Sequence, residues 1–494
     1  MDQWRRRFYT LLLAVLGLPL LIAVPLAVRF LPDRPVTYAN DEDNFKYGST
    51  GGYRSSGFPY WIWQALPVVF ADRLPQNGRP GYEAFGLVFE KGHDLPIGMQ
   101  RGRSLGLDRV FVNCAICHHS TVRDTPEMDP PRVYLGMPAA RFDLGAFEQF
   151  LFDCVTDERF RADDIVPEIE RQAGKLGFLD RYVVYPLAIG LMQQRILMLR
   201  QRFEAFHIDT WGPGRVDTFN SAKALFNFPF HRLPERELWG AADFPSIWNQ
   251  GPRRGMALHW DGNNNLVDER NKSAAFGTGT TPASLDVAQL DRIEHWLDTL
   301  KAPAYPYPIK QELAANGRAV YQREGCGECH DFGGKKVGKV TPIGEIGTDR
   351  SRLDSYTYEL AVNQSMLYAG EPYRFNHFRK TFGYANAPLD GIWLRAPYLH
   401  NGSVPTLRDL LTPPAQRPKS FFRGYDVYDQ RNVGFVSTVG DETVKPGVRR
   451  YFQFNKFDPK DGRPIPGNDN SGHSYGTNLS PADKEALLEY LKTL

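Results

Sequence analysis

The sequence has no marked excess of positive or negative residues: 59 Lys and Arg face 57 Asp and Glu over 494 residues, a formal net charge of +2. Nothing in that balance points to a nucleic-acid partner, which would call for a basic excess or stripe. Cysteine is scarce as well, with five in all. Four of the five fall in two short units, which argues against the disulfide framework of a cysteine-rich secreted protein. A hydrophobic share of 42% against 23% charged residues excludes a disordered chain. The length exceeds one ordinary core and predicts two or three domains.

Charge is also absent from Phe8 to Val28, a run of 21 residues that follows Arg5, Arg6 and Arg7. At about 1.5 Å per residue such a run spans a hydrocarbon core of roughly 30 Å. Pro19 and Pro25 interrupt it, a break that membrane helices tolerate. The Arg cluster should stay cytoplasmic and send the rest of the chain to the outer side. The rival is a cleaved signal peptide, but this run is longer than a usual apolar signal region and ends in Leu26-Ala27-Val28-Arg29, a poor cleavage site. Residues 1–30 are therefore expected to form an N-terminal transmembrane helix, with the body of the protein in the periplasm. A soluble periplasmic form would follow if the segment is cleaved.

The cysteine units are Cys114-Ala115-Ile116-Cys117-His118 and Cys326-Gly327-Glu328-Cys329-His330. Two residues between the thiols place both sulfurs beside one turn of helix, where each can add to one vinyl group of a haem. The next residue then offers its imidazole to the iron from the same side. A zinc site would want four ligands, and each unit is short of sulfur for that. A thioredoxin-like pair rarely carries His directly after the second Cys, and here it does so twice. The expectation is two covalently bound haems c, on Cys114 and Cys117 with His118 as iron ligand, and on Cys326 and Cys329 with His330. The 13% aromatic content suits the wrapping of such flat cofactors. His119 cannot reach the same iron from the same turn, and Cys154 reads as a buried structural thiol.

An internal repeat divides the chain. Ile293 to Leu300 matches Leu487 to Leu494, each with apolar residues at i, i+3, i+4 and i+7, the buried stripe of a closing helix. The second copy starts well, with Ser480 as cap and Pro481 in the first turn. Upstream, Ile247-Trp248 leads to Leu258-His259-Trp260-Asp261-Gly262, and Ile392-Trp393 leads to Leu399-His400-Asn401-Gly402. The predicted fold is mainly α-helical, with two cytochrome c-like haem domains in tandem, residues 31–300 and 310–494. Residues 301–309 form a Pro-rich, semi-rigid linker between them. A helical insertion lengthens the first domain within about 145–230, and Leu191, Met192, Ile196, Leu197 and Leu199 are assigned there to the core. In the second domain Gly317 should let the closing helix cross its first helix closely, with Tyr490 against it.

His259-Trp260-Asp261-Gly262 resembles the Phe-Trp-Asp-Gly motif of bacterial di-haem cytochrome c peroxidases. Ala396-Pro397-Tyr398-Leu399-His400-Asn401-Gly402 resembles their Ala-Pro-Tyr-Phe-His-x-Gly segment. The wider pattern looks most like the rubber-oxygenase branch of that superfamily, where a long helical stretch also separates the first haem motif from Trp-Asp-Gly. The resemblance covers roughly residues 100–494. It implies that Trp260 lies between the two haems as an electron relay. The peroxidases carry an acid about twenty residues after that Trp, to split the O–O bond. Here the stretch is Gly277-Thr278-Gly279-Thr280-Thr281, so Asp268 and Glu269 are the nearest acids, with Glu269 the catalytic candidate. Pro414 stands where the peroxidases place a Met ligand.

The sixth ligand decides what each haem does. For the second haem the candidates are Met366, His377, His400 and His473. His473 is preferred, because the rubber oxygenases that the chain resembles use a C-terminal histidine there. The equivalent first-half loop, Ala275-Phe276-Gly277-Thr278-Gly279, has neither His nor Met. That suggests an open site for O2 or H2O2 on the first haem, with Trp239, Phe244 and Trp248 as its apolar lid; Met99, Met256, His93 and His259 are the other candidates. The reading is a periplasmic di-haem redox enzyme of the peroxidase or oxygenase type, served by a redox partner protein or a quinol-linked donor. The alternative is a pure electron-transfer cytochrome with both irons six-coordinate.

Overall fold

The computed structural model describes residues 3–5, 7–9, 23–31, 33–438, 443–445, 448–449 and 451–494. The middle of the Phe8–Val28 run lies outside them. Among the described residues one helix, Asp180–Phe203, is long and apolar enough to cross a membrane, and it sits mid-chain.

Helices dominate. Helix α1 (Asp41–Tyr47) starts at Asn40, whose side chain accepts from Asp43 N, and carries Asp41, Glu42 and Asp43 against the positive end of its dipole. A four-stranded sheet follows that the sequence reading did not foresee. Its strands are β1 (Arg34–Pro35), β2 (Phe58–Pro59), β3 (Met99–Ser104) and β4 (Leu107–Val112), all antiparallel, in the order β1-β3-β4-β2. Strand β4 leads directly into the first cysteine unit.

Three helices then fill the stretch expected as an insertion: α2 (Leu144–Thr156), α3 (Ala162–Ala173) and α4 (Tyr185–Phe203), the last preceded by a wider π turn at Asp180–Val184. Asp143 caps α2 by accepting from Ala146 N at 2.9 Å. The core beneath is strongly aromatic: Trp63 stacks on Tyr82 at 4.1 Å, and Phe147 meets Phe85 edge-on at 5.6 Å. Met192 and Ile196 are buried there as expected, but Leu191 and Leu197 are exposed, so α4 has two apolar faces and only one is covered.

Beyond the insertion, two stretches repeat one hydrogen-bond scaffold. The short strands β5 (Arg215–Val216) and β6 (Ala242–Asp243) pair antiparallel, as do β7 (Val340–Pro342) and β8 (Gly383–Ala385). Helices α5 (Val267–Gly277) and α6 (Val287–Thr299) close the first stretch. The second runs from α7 (Gln311–Arg323) to α8 (Pro481–Leu491). Asn249 N donates to Leu300 O at 2.7 Å after α6, and Gly391 N donates to Leu494 O at 2.9 Å after α8.

Helix α7 crosses α8 at Gly317, where an added Cβ would lie 1.9 Å from the Ala486 carbonyl oxygen and 2.8 Å from Tyr490 Cβ. Only glycine allows that approach. Tyr321 and Tyr490 pack at 5.2 Å beside it. The Pro-rich stretch before α7 is pinned to the core. Trp393 donates its indole N–H to Pro303 O, and Tyr305 packs edge-on against Trp393 at 5.5 Å.

Candidate haem sites

The first cysteine unit sits on a 3-10 turn, Cys114–Ile116. Asn113 caps it by accepting from Ala115 N and ties it to α1 by donating to Gly48 O at 3.0 Å. Gly98 is required beneath it, since a Cβ there would come within 2.4 Å of the Ile116 backbone. The second unit occupies a helical turn, Gly327–His330, where His330 N donates to Cys326 O. No disulfide forms, all five cysteines being free, and Cys154 is fully buried.

The two histidines of the units are held alike. His118 Nδ1 bonds Pro245 O at 2.9 Å, and His330 Nδ1 bonds Ala387 O at 2.8 Å. A backbone carbonyl at Nδ1 fixes the tautomer that leaves Nε2 for a metal, the usual support of a metal-binding imidazole. Burial lowers His118 to about 3, so its ring is neutral and fit to ligate.

Opposite His330 stands His473. Their ring centroids are 6.2 Å apart, with the planes tilted by 45°. Two imidazoles on opposite sides of one iron, each at about 2 Å, would have centroids roughly 6 Å apart. The His473 ring makes no hydrogen bond, and its Nδ1 is buried without a partner. Burial, then the neighbouring His330, lowers its pKa to about 4. The loop carrying it is held by Arg417, which the sequence reading missed. Its guanidinium donates to the carbonyls of Asn470 (2.6 Å), Gly472 (2.9 Å), His473 (3.2 Å), Leu410 (3.1 Å) and Thr412 (3.2 Å). His473 has φ +45°, a strained geometry that this cage over-determines.

The rival ligands lie elsewhere. Met366 is 64% exposed. His377 bonds Glu269 through Nδ1 at 2.8 Å. His400 is buried and stacks on Tyr384 at 3.9 Å.

Around the first unit two ionisable groups have no protein partner. Arg270, on α5, bears electrostatically on Cys114, His118 and His259 and makes no side-chain hydrogen bond or ion pair. Glu148, on α2, bears on Cys117, and burial raises it to about 8. A cation and a neutral acid left unsatisfied beside a C-x-x-C-H unit fit a polar, propionate-bearing group there. Neither residue was singled out from sequence, because nothing along the chain marks them as neighbours of Cys114 and Cys117.

Trp260 donates its indole N–H to Asp243 O at 2.7 Å, and its own carbonyl accepts from Ala385 N at 2.8 Å. Asp243 lies two residues before Pro245, and Ala385 two residues before Ala387, so Trp260 touches the strands that hold both histidines. Its counterpart in the second stretch is His400, whose carbonyl accepts from Asp243 N at 2.9 Å. This corrects the sequence alignment by one residue. His259 and Leu399 both have positive φ, and the loops close by the bridges Leu258 to Asn264 and Tyr398 to Val404.

Glu269 is buried with both oxygens engaged. Oε1 accepts from Asn376 N and His377 Nδ1, and Oε2 from His377 N and Asn264 Nδ2. As placed, it clamps the 376–377 loop to α5. Ala275–Gly277 is the end of α5, not a loop equivalent to that of His473. Of the expected lid, Trp239 instead stacks on His207 at 3.7 Å, and Trp248 donates its indole N–H to Asp390 O in the core.

Comparison with known proteins adds a match over one short segment. Residues 383–422 match the RoxA-like, cytochrome c-like family. That segment holds β8, Ala387, Trp393 and His400, the scaffold of the second unit, and a cytochrome c-like domain implies covalently bound haem c. Two uncharacterised proteins of Sinorhizobium fredii are also similar. One, y4iM, is 34% identical over 219 residues, 39% of this chain and 49% of the relative. The other, y4iJ, is 37% identical over 150 residues, 28% of this chain and 22% of the relative. The chain thus spans about half the length of the first and less of the second.

Proposed function

We propose that this chain is a di-haem c-type cytochrome acting as a redox enzyme of the peroxidase or oxygenase type, with O2 or H2O2 taken at the first haem and electrons delivered by way of the second. Bound haem would supply one-electron and oxygen chemistry; the protein supplies ligands, orientation and electrostatics. The observation that carries the reading is the facing pair His330 and His473, at the separation two ligands of one iron require. Among the described residues no second imidazole makes a ring contact with His118 of the kind His473 makes with His330. Arg270 and Glu148, unpaired beside the first unit, would meet the polar edge of its haem. Trp260, bonded to both strands, would relay electrons between the halves. The shared scaffold of the two stretches supports two haem domains in tandem. A periplasmic body behind a membrane-anchored N-terminus, and a redox protein or quinol-linked donor, complete the proposal.

Electron paramagnetic resonance and resonance Raman spectra of the purified protein test it. One low-spin and one high-spin haem are expected, with cyanide, CO and peroxide altering only the high-spin signal. Two low-spin haems indifferent to all three would refute the enzyme reading in favour of an electron carrier.

A further inference from the structure

The helix Asp180–Phe203 has one face in the core and one bare. Tyr185, Ile189, Met192 and Ile196 are buried inward. Outward, Leu179, Val183, Leu187 and Leu191 follow one another every fourth residue and so form a single stripe. Val183 is 48% exposed, Leu187 61% and Leu191 57%. Tyr182 and Phe178, at 61% and 79%, widen the stripe at its start. An unbroken apolar strip of this kind marks an interaction surface. With its inner face packed on protein, this helix cannot be surrounded by lipid as a membrane span is, but it can lie along an interface.

The covering partner follows from where the stripe begins. Asp180, at the head of the helix, pairs with Arg29. Arg29 is the first charge after the uncharged run Phe8–Val28. The Phe30 ring packs over Gly106, where an added Cβ would lie 2.5 Å from it, and the neighbouring Leu31 and Leu105 are 80% and 66% exposed. A run that leaves the bilayer at Arg29 sets that residue at headgroup level, and the ion pair holds the start of the stripe at the same level.

We propose that the outer face of this helix rests in the interfacial layer of the lipid bilayer that holds the N-terminal run. It is a second membrane contact, and it fixes how the body sits on the surface. The inference rests on the membrane placement of residues 8–28 and goes beyond the haem chemistry.

The test uses the full-length, haem-loaded protein in nanodiscs of phosphatidylethanolamine and phosphatidylglycerol. Nitroxide labels are placed singly at Leu187→Cys and Leu191→Cys, with Val362→Cys, 61% exposed on another helix, as control. All three side chains point outward, so an unchanged haem spectrum confirms the fold. The ratio of oxygen to nickel-chelate accessibility should be several-fold higher at 187 and 191 than at 362. Equal ratios in incorporated protein would overturn the surface contact and leave the anchor standing. Failure to incorporate would overturn both. Dipolar broadening between Leu191→Cys labels of separate copies would assign the face to a second copy of this chain and overturn the lipid contact.

Discussion

Arg417→Met removes the guanidinium that holds the His473 loop while leaving both histidines in the sequence. Arg417 is 2% exposed, and three of its five carbonyl partners, Asn470, Gly472 and His473, lie in that loop. A buried carbonyl that loses its donor costs about 1 kcal/mol at the low end of the usual range, so the loop geometry loses about 3 kcal/mol. At 1.4 kcal/mol per factor of ten, the ratio of His473-bound to His473-released second haem falls roughly 100-fold. Cyanide competes with His473 for that position, and its affinity for the second haem should rise by a similar factor. Titration followed by low-temperature electron paramagnetic resonance reads this directly, with the first haem as internal standard. Arg417→Lys keeps the charge but not the fork and should fall between the two. If the Met variant is folded and binds cyanide at the second haem within a few-fold of wild type, Arg417 does not position the ligand. If wild type already binds cyanide freely there, His473 is not bound to the iron at all.

Cys326→Ser with Cys329→Ser should leave one covalent haem per chain, read by pyridine haemochrome after denaturation; two remaining would refute the second attachment site. Glu269→Gln should lower stability by about 1–2 kcal/mol in urea unfolding, through weakened charged hydrogen bonds, and leave the peroxide reaction of the first haem unchanged. A large loss of that reactivity would return Glu269 to the catalytic role expected from sequence. Gly317→Leu should cost about 3 kcal/mol or prevent folding, because the added Cβ meets the Ala486 carbonyl. Glu148 has a folded pKa raised from 4.5 to about 8 by burial. Its neutral form favours the folded state fully below pH 4.5, and that contribution is lost as pH rises through about 8. Glu148→Gln should therefore flatten the fall in stability over that window in urea titrations; an unchanged profile would show that Glu148 is solvated.

The cysteine units are visible along the chain as a spacing that covalent attachment would dictate, and the Gly317 crossing is legible because only one residue type permits it. The register between the halves was not, because the shared feature is a left-handed backbone at His259 and Leu399, which those side chains do not announce. A match of Leu258-His259 to Leu399-His400 is therefore one residue out of register and hides the equivalence of Trp260 and His400. Glu269 was read from its distance along the chain to Trp260, but a helix turns about 100° per residue, and α5 aims this carboxylate at Asn376 and His377. Leu191 and Leu197 were apolar at helical spacing, which identifies a stripe but not whether protein covers it. Arg417, Glu148 and Arg270 act across long sequence separations and carry no local signal.

The arrangement around Asp243 explains why the two sites should behave as one unit. Its carbonyl accepts from the Trp260 indole and its amide donates to His400 O, so one residue of the first stretch binds both the 258–264 and the 398–404 loops. Ala385 makes the reciprocal bond from the second stretch to Trp260 O. Asp243 is fixed by a buried ion pair to Arg423 at 2.7 Å, and Gly402 leaves room for it, since a Cβ there would lie 2.2 Å from the Asp243 carboxylate. Breaking a buried pair of this kind by removing one partner costs about 3–5 kcal/mol. Each stretch thus completes the scaffold of the other, and neither histidine can shift without moving a strand bonded across the seam. A fixed separation between the two sites is what the proposed electron relay through Trp260 would require, and the crossed bonds of Asp243 and Ala385 would supply it.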